Sequence, residues 1–151
     1  MTHTNGFVSS ETKASFDHFM KQWSQDPNGV KMALRKIMHT LLHNNGTILD
    51  FHPRPGISYS LRASVGNTTP KHRPYYAVVD IVEEAQGNRW LSVCFYADTV
   101  SDPSDIGNLI PRGLLGEDGY CFDVDSYDEV LLSYLEARIR QAYINGQAPS
   151  T

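Results

Sequence analysis

Residues 57–65 read Ile57-Ser58-Tyr59-Ser60-Leu61-Arg62-Ala63-Ser64-Val65. Apolar and polar side chains alternate without a break. A β-strand sends successive side chains to opposite faces, so this run predicts a strand with one buried face and one wetter face. Two neighbouring runs support it. Tyr75–Glu83 and Trp90–Asp98 are rich in aromatic and β-branched residues, which fit a pleated surface. Gln86-Gly87-Asn88 between them predicts a hairpin. A fourth strand is expected over Thr47–His52, with Pro53-Arg54-Pro55-Gly56 as the turn that follows it. The predicted core of the sheet is Ile57, Tyr59, Leu61, Ala77, Val79, Ile81, Leu91, Val93 and Phe95.

Outward from this centre the period changes from two residues to between three and four. Phe16, Phe19, Met20 and Trp23 form one stripe, predicting a helix from Ser10, its cap, to Ser24. Val30, Leu34, Ile37, Met38 and Leu41 form another, predicting a helix that opens at Asp26-Pro27 and stops at Asn44-Asn45-Gly46. Ser126-Tyr127-Asp128-Glu129 has the spacing of a capping box. It predicts a last helix to Ile144, with Val130, Leu131, Tyr134, Leu135, Ile139 and Ala142 turned inward. Residues 99–125 carry many acids, prolines and glycines and read as a long acidic loop packed over the core. The expectation is therefore an α+β fold, with two N-terminal helices, a central antiparallel sheet of about four strands, the long acidic loop and a C-terminal helix. Residues 1–151 form one domain, of which 1–9 and 147–151 are expected to be frayed tails.

Composition narrows the function classes. A chain of 151 residues buries roughly 68–70% of its unfolded surface and needs no staples. The two cysteines, Cys94 and Cys121, stand far apart in sequence and read as reduced thiols. There is no export signal and no apolar run of membrane-spanning length, so the expected location is the cytoplasm. Net charge is −4, which argues against nucleic acid as a partner. The charge is unevenly spread. Residues 31–73 hold Lys31, Arg35, Lys36, Arg54, Arg62, Lys71 and Arg73 against Asp50 alone. Residues 98–129 hold nine acids against Arg112 alone.

The second face of the sheet is chemically mixed. Folding the hairpin about Gln86 sets Asp80 opposite Ser92, Tyr76 opposite Tyr96 and Val82 opposite Trp90. Arg62 then falls opposite or diagonal to Asp80, and His52 joins the same face. Aromatic walls with a few polar anchors suit a small-ligand site. The site residues expected here are Arg62, Asp80, Tyr76, Trp90, Tyr96 and His52. A half-wet sheet face with a satisfied cross-strand contact accounts for the same residues, and a two-fold homodimer covering the aromatics is a third account.

Other chemistries lack their residues. No zinc-ligand spacing is present, and His39 and His43 lack the intervening acid of a metalloprotease helix. Asp123-Val124-Asp125 with Asp128 begins like a calcium loop but misses its central glycine and closing glutamate. No nucleophile elbow or phosphate-binding glycine pattern occurs. No metal or cofactor is expected.

The order of elements, with Gly56-Ile57-Ser58-Tyr59-Ser60 opening a strand, resembles the small bacterial YdhG-like domains, some of them described as frataxin-like iron chaperones. The resemblance covers residues 10–100 and implies a fold and metal handling by surface acids. The segment Pro111–Tyr120 departs from it, and no site residue is carried over. The leading expectation is a non-catalytic domain that binds a small ligand or protein partner on one face of its sheet. The alternatives are an acidic iron chaperone using residues 117–129, and an enzyme of unknown reaction on the same face with His52 or Asp80 as base.

Overall fold

The computed structural model describes residues 6–66 and 70–147. Helices α1 (Ser10–Gln22) and α2 (Val30–His43) come first. Strands β1 (Ile48–Arg54), β2 (Ser58–Ser64), β3 (Ala77–Glu83), β4 (Arg89–Tyr96), β5 (Asn108–Leu114) and β6 (Glu117–Val124) follow, and helix α3 (Glu129–Asn145) ends the chain. The strands make one sheet in the order β1-β2-β3-β4-β6-β5, antiparallel at every step. The fold is α+β as expected, but the sheet has six strands rather than about four.

The two extra strands come from the segment read as a loop. Tyr120, Phe122 and Val124 do alternate with Cys121 and Asp123, and the first three face the helices. The acids and glycines around them hid this period. Strand β5 shows no period because it is an edge strand, exposed along all but Leu114. The hairpin closes through Leu115 and Gly116, both at positive φ (50° and 88°), as a two-residue turn between twisted strands requires.

One buried cluster joins Phe16, Leu34, Ile37 and Leu135 from the helices to Leu61, Val79, Ile81 and Val93 from the strands. The three helices thus cover a single face. Of the predicted strand core only Ile57 is misplaced. It lies in the β1–β2 turn and is 57% exposed.

Each helix begins later or earlier than the sequence suggests, at α1 and α3 because a neighbouring side chain caps the helix and at α2 because the chain first turns through Gly29. Ser9 rather than Ser10 caps α1, its hydroxyl accepting from the Thr12 amide. Residues 6–9 are accordingly no loose tail: Phe7 is buried and the Val8 amide donates to the Leu49 carbonyl. Of the expected C-terminal tail only Gln147 falls among the described residues. The carboxylate of Asp26 accepts from the Lys31 amide, but the chain first turns through Gly29 and α2 starts at Val30. Asp128, not Ser126, caps α3 by accepting from the Val130 and Leu131 amides. The buried stripe of α3 is Leu132, Leu135, Ile139 and Ala142, and Val130 is 82% exposed.

Asp102 ties the start of β5 to α3. Its carboxylate takes the Tyr134 and Tyr120 hydroxyls and the Gly107 and Ile106 amides. Burial disfavours its charge, but these four donors outweigh it and bring its pKa to about 2. Among the described residues no helix is long and apolar enough to cross a membrane.

Candidate functional site

All three helices pack on one side of the sheet; the other side, the open face, has no helix on it among the described residues, and strand register decides what meets there. Three cross-strand rows follow from the pairing. The central one runs His52, Ser60, Asp80, Ser92, Asp123. On one side lies Asp50, Arg62, Val78, Cys94, Cys121, Asn108. On the other lies Arg54, Ser58, Val82, Trp90. The expected pairings of Asp80 with Ser92 and Val82 with Trp90 are present, and Arg62 is diagonal to Asp80.

Among the described residues, however, no ion pair joins Arg62 to Asp80. Arg62 Nε donates to Ser60 Oγ at 3.0 Å, and the guanidinium stands 5.5 Å from the Tyr75 ring centre. His52 Nε2 lies 3.1 Å from Asp50 Oδ2, on its own strand. The central row therefore keeps an imidazole, two hydroxyls and two carboxylates beside one another.

Two aromatic residues expected on this face behave otherwise. Tyr76 precedes β3, so it escapes the strand alternation and turns into the helix-side core. Its hydroxyl shares a 2.7 Å hydrogen bond with Thr47 and accepts from Asn44 Nδ2, and its ring meets Tyr143 edge-on. Burial raises its pKa, partly offset by those hydrogen bonds. Tyr76 is a core residue, not a wall of a site. Tyr96 does stand on the open face, but it is covered. Arg73 lies 4.5 Å above its ring and is itself held by Asp98 at 2.7 Å and Glu117 at 2.8 Å. The hydrogen bond from Arg73 holds the Asp98 pKa below its ordinary value. Val78, Leu114 and the cysteine pair pack beside Tyr96, and burial raises the pKa of its phenol.

Cys94 and Cys121 are joined in a disulfide. Far apart in sequence, they are direct partners in the β4–β6 pairing. The expectation of two separate reduced thiols failed because β6 was not read as a strand. Disulfides persist mainly in oxidising compartments, so the expectation of a cytoplasmic location loses the support the cysteines gave it.

The opposite end of the open face leads into a cavity of about 520 Å³. Three pieces of chain enclose it: the α1–α2 connection from Trp23 to Val30, the β3–β4 turn from Glu84 to Trp90, and the end of β6 with Asp123 and Asp125. The connection is locked to the β6–α3 junction, where the Tyr127 amide donates to the Asn28 carbonyl at 2.8 Å. Gly29 permits this contact. Its φ is +79°, and a Cβ there would stand 2.8 Å from that of Tyr127. Inside the rim, Arg89 is clamped. It pairs with Glu83 at 2.6 Å, and its guanidinium lies 4.9, 5.0 and 5.4 Å from the rings of Phe19, Trp23 and Tyr59. Trp90 and Asp123 belong to both the cavity lining and the open face.

No protein-family model, curated protein or solved structure matches the chain.

Of the residues expected to form a site, Trp90 alone lines the cavity. Asp80, Arg62 and His52 are on the open face that adjoins it. Asp123 and Asp125 were visible as an incomplete calcium pattern and as part of the acidic run 117–129, Trp23 only as core, and Arg89 carried no signal. Among the described residues no group of three or more His, Cys, Asp or Glu side chains is placed to hold a metal ion.

Proposed function

We propose that this chain is a non-catalytic binding domain whose ligand sits in the cavity at the β3–β4 turn and extends along the central polar row of the open face. The observation that carries this reading is the sharing of Trp90 and Asp123 between the cavity and the face. A concave recess with an aromatic wall that continues into a row of hydrogen-bonding groups suits a small polar ligand better than a flat partner.

Native mass spectrometry of the purified chain is the first test, since a retained small mass would identify the ligand directly. The decisive one is protein-observed NMR against a set of small polar fragments. Fragments that bind should move the Trp90 indole N–H together with the Ser92 and Asp123 amides, and Trp90→Ala should abolish binding under conditions where the variant remains folded, at a small cost in stability from the lost pairing with Val82. Binders that act only at other surfaces, untouched by Trp90→Ala, would refute the assignment.

A further inference from the structure

The disulfide joins two strands that are already joined. Cys94 and Cys121 are direct partners in the β4–β6 ladder, and the pairs from Leu91↔Val124 to Tyr96↔Gly119 hold the same strands through the backbone. Opening the bond therefore leaves the two sulfurs facing each other, placed to re-form it. We infer that Cys94–Cys121 is a redox couple that opens and closes by exchange with external dithiols, with attack on Cys121 and Cys94 as the leaving thiolate. The couple stands whether or not the adjoining cavity holds a ligand.

Two independent observations set the direction. The first is access. Exchange begins when a thiolate attacks one sulfur of the disulfide, and it approaches in line with the S–S bond, opposite the sulfur that leaves. The bond runs from β4 to β6. An in-line approach to Cys121 comes over β5, where the next residue in the row is the exposed Asn108 of the edge strand. An in-line approach to Cys94 comes over β3, where the next residue is Val78, buried and packed in the same cluster as the cysteines. Both cysteines are themselves buried, so a reagent arrives from the edge of the sheet, and Cys121 is the nearer to it.

The second is charge. Ser92 Oγ lies 3.3 Å from Cys94 Sγ. A disulfide sulfur carries no proton, so the hydroxyl is the donor. As the bond breaks, negative charge grows on Cys94 Sγ, and a hydrogen bond to an ionised acceptor is about twice as strong as one to a neutral acceptor. Among the described residues no hydrogen bond reaches Cys121 Sγ. Cys94 is therefore the better leaving group.

The exchange balances. One thiolate of the dithiol bonds to Cys121 Sγ, the S–S bond breaks, and its electron pair goes to Cys94 Sγ, which then takes a proton. The reagent's second thiolate attacks its own sulfur in the mixed disulfide and expels Cys121, which is protonated in turn. The protein gains two electrons and two protons, and the dithiol becomes a cyclic disulfide.

The test uses the full chain in buffers of graded reduced and oxidised dithiothreitol. Samples are quenched with N-ethylmaleimide and read by intact mass, with amide spectra recorded alongside. The expected result is one transition, the same from the oxidised and the reduced side, in a chain that stays folded. With glutathione in place of the dithiol, peptide mapping should find glutathione on Cys121 and N-ethylmaleimide on Cys94. Ser92→Ala should slow reduction of the folded chain by about threefold or more, and Ser92→Thr, which keeps the hydroxyl, should restore most of the rate. Reduction only in the unfolded chain, with amide dispersion lost, would overturn the inference and leave the bond purely structural. Glutathione mainly on Cys94, or a rate indifferent to Ser92→Ala, would overturn it as well. The mapping uses the natural sequence, so it decides the direction even if Ser92→Ala does not fold.

Discussion

Tyr76 and Tyr96 are both almost completely buried, yet their hydroxyls have opposite fates. Tyr76 is bonded to Thr47 and Asn44. The Tyr96 hydroxyl has no hydrogen-bond partner. A buried polar atom without a partner costs about 1–3 kcal/mol, and removing one member of a satisfied pair leaves the other stranded. The same substitution should therefore have opposite signs at the two positions. Tyr96→Phe is expected to raise stability by about 1 kcal/mol, and Tyr76→Phe to lower it by about 1–2 kcal/mol. Urea midpoints at constant slope would measure both. A loss of stability in Tyr96→Phe would mean that its hydroxyl makes a bond the structure lacks. This pair also marks a limit of reading sequence. Both tyrosines were assigned to one face by counting from Gln86. The count holds for Tyr96, inside β4, and fails for Tyr76, which precedes β3: its amide donates to the Ala63 carbonyl, but its side chain turns to the helix side.

At the scale of elements, the sequence was most legible where one face of an element is buried and the other is not. Phe16, Phe19, Met20 and Trp23 are buried as their spacing implies, and so are Tyr59, Leu61 and Ala63. It was least legible at β5, where nearly every side chain is exposed and no pattern distinguishes a strand from a loop. The cavity was hidden for a related reason. It is made by three connections that come together only through tertiary contacts, and the Tyr127–Asn28 bond that joins two of them spans most of the chain. Gly29 tests that junction. Gly29→Ala places a Cβ against Tyr127 and forces a left-handed residue without glycine's freedom. Strain of this kind costs about 1–3 kcal/mol. The expected outcome is a lower unfolding midpoint and faster hydrogen exchange at the Tyr127 amide. Unchanged exchange at Tyr127 would show that the junction does not depend on the turn.

The whole molecule is a two-layer assembly, closed on one side by helices and stapled on the other by Cys94–Cys121. The disulfide closes a loop with a sequence separation of 27, and a bond of this kind contributes about 2–4 kcal/mol by restricting the unfolded chain. Replacing both cysteines by alanine, or adding dithiothreitol, should lower stability by that order in urea unfolding, and the reductant should have no effect on the double variant. Equal stability with and without reductant in the natural sequence would show that the bond carries no share of it. The position of the two cysteines has another consequence. They are direct cross-strand partners when β6 has docked against β4 in register, and a slip of one residue would turn Cys121 toward the helices. The sulfur–sulfur bond is favoured in molecules whose strands have found their proper neighbours, because docking holds the two sulfurs together. In freshly synthesised chains trapped with an alkylating agent, the unalkylated fraction should therefore rise as β6 docks against β4.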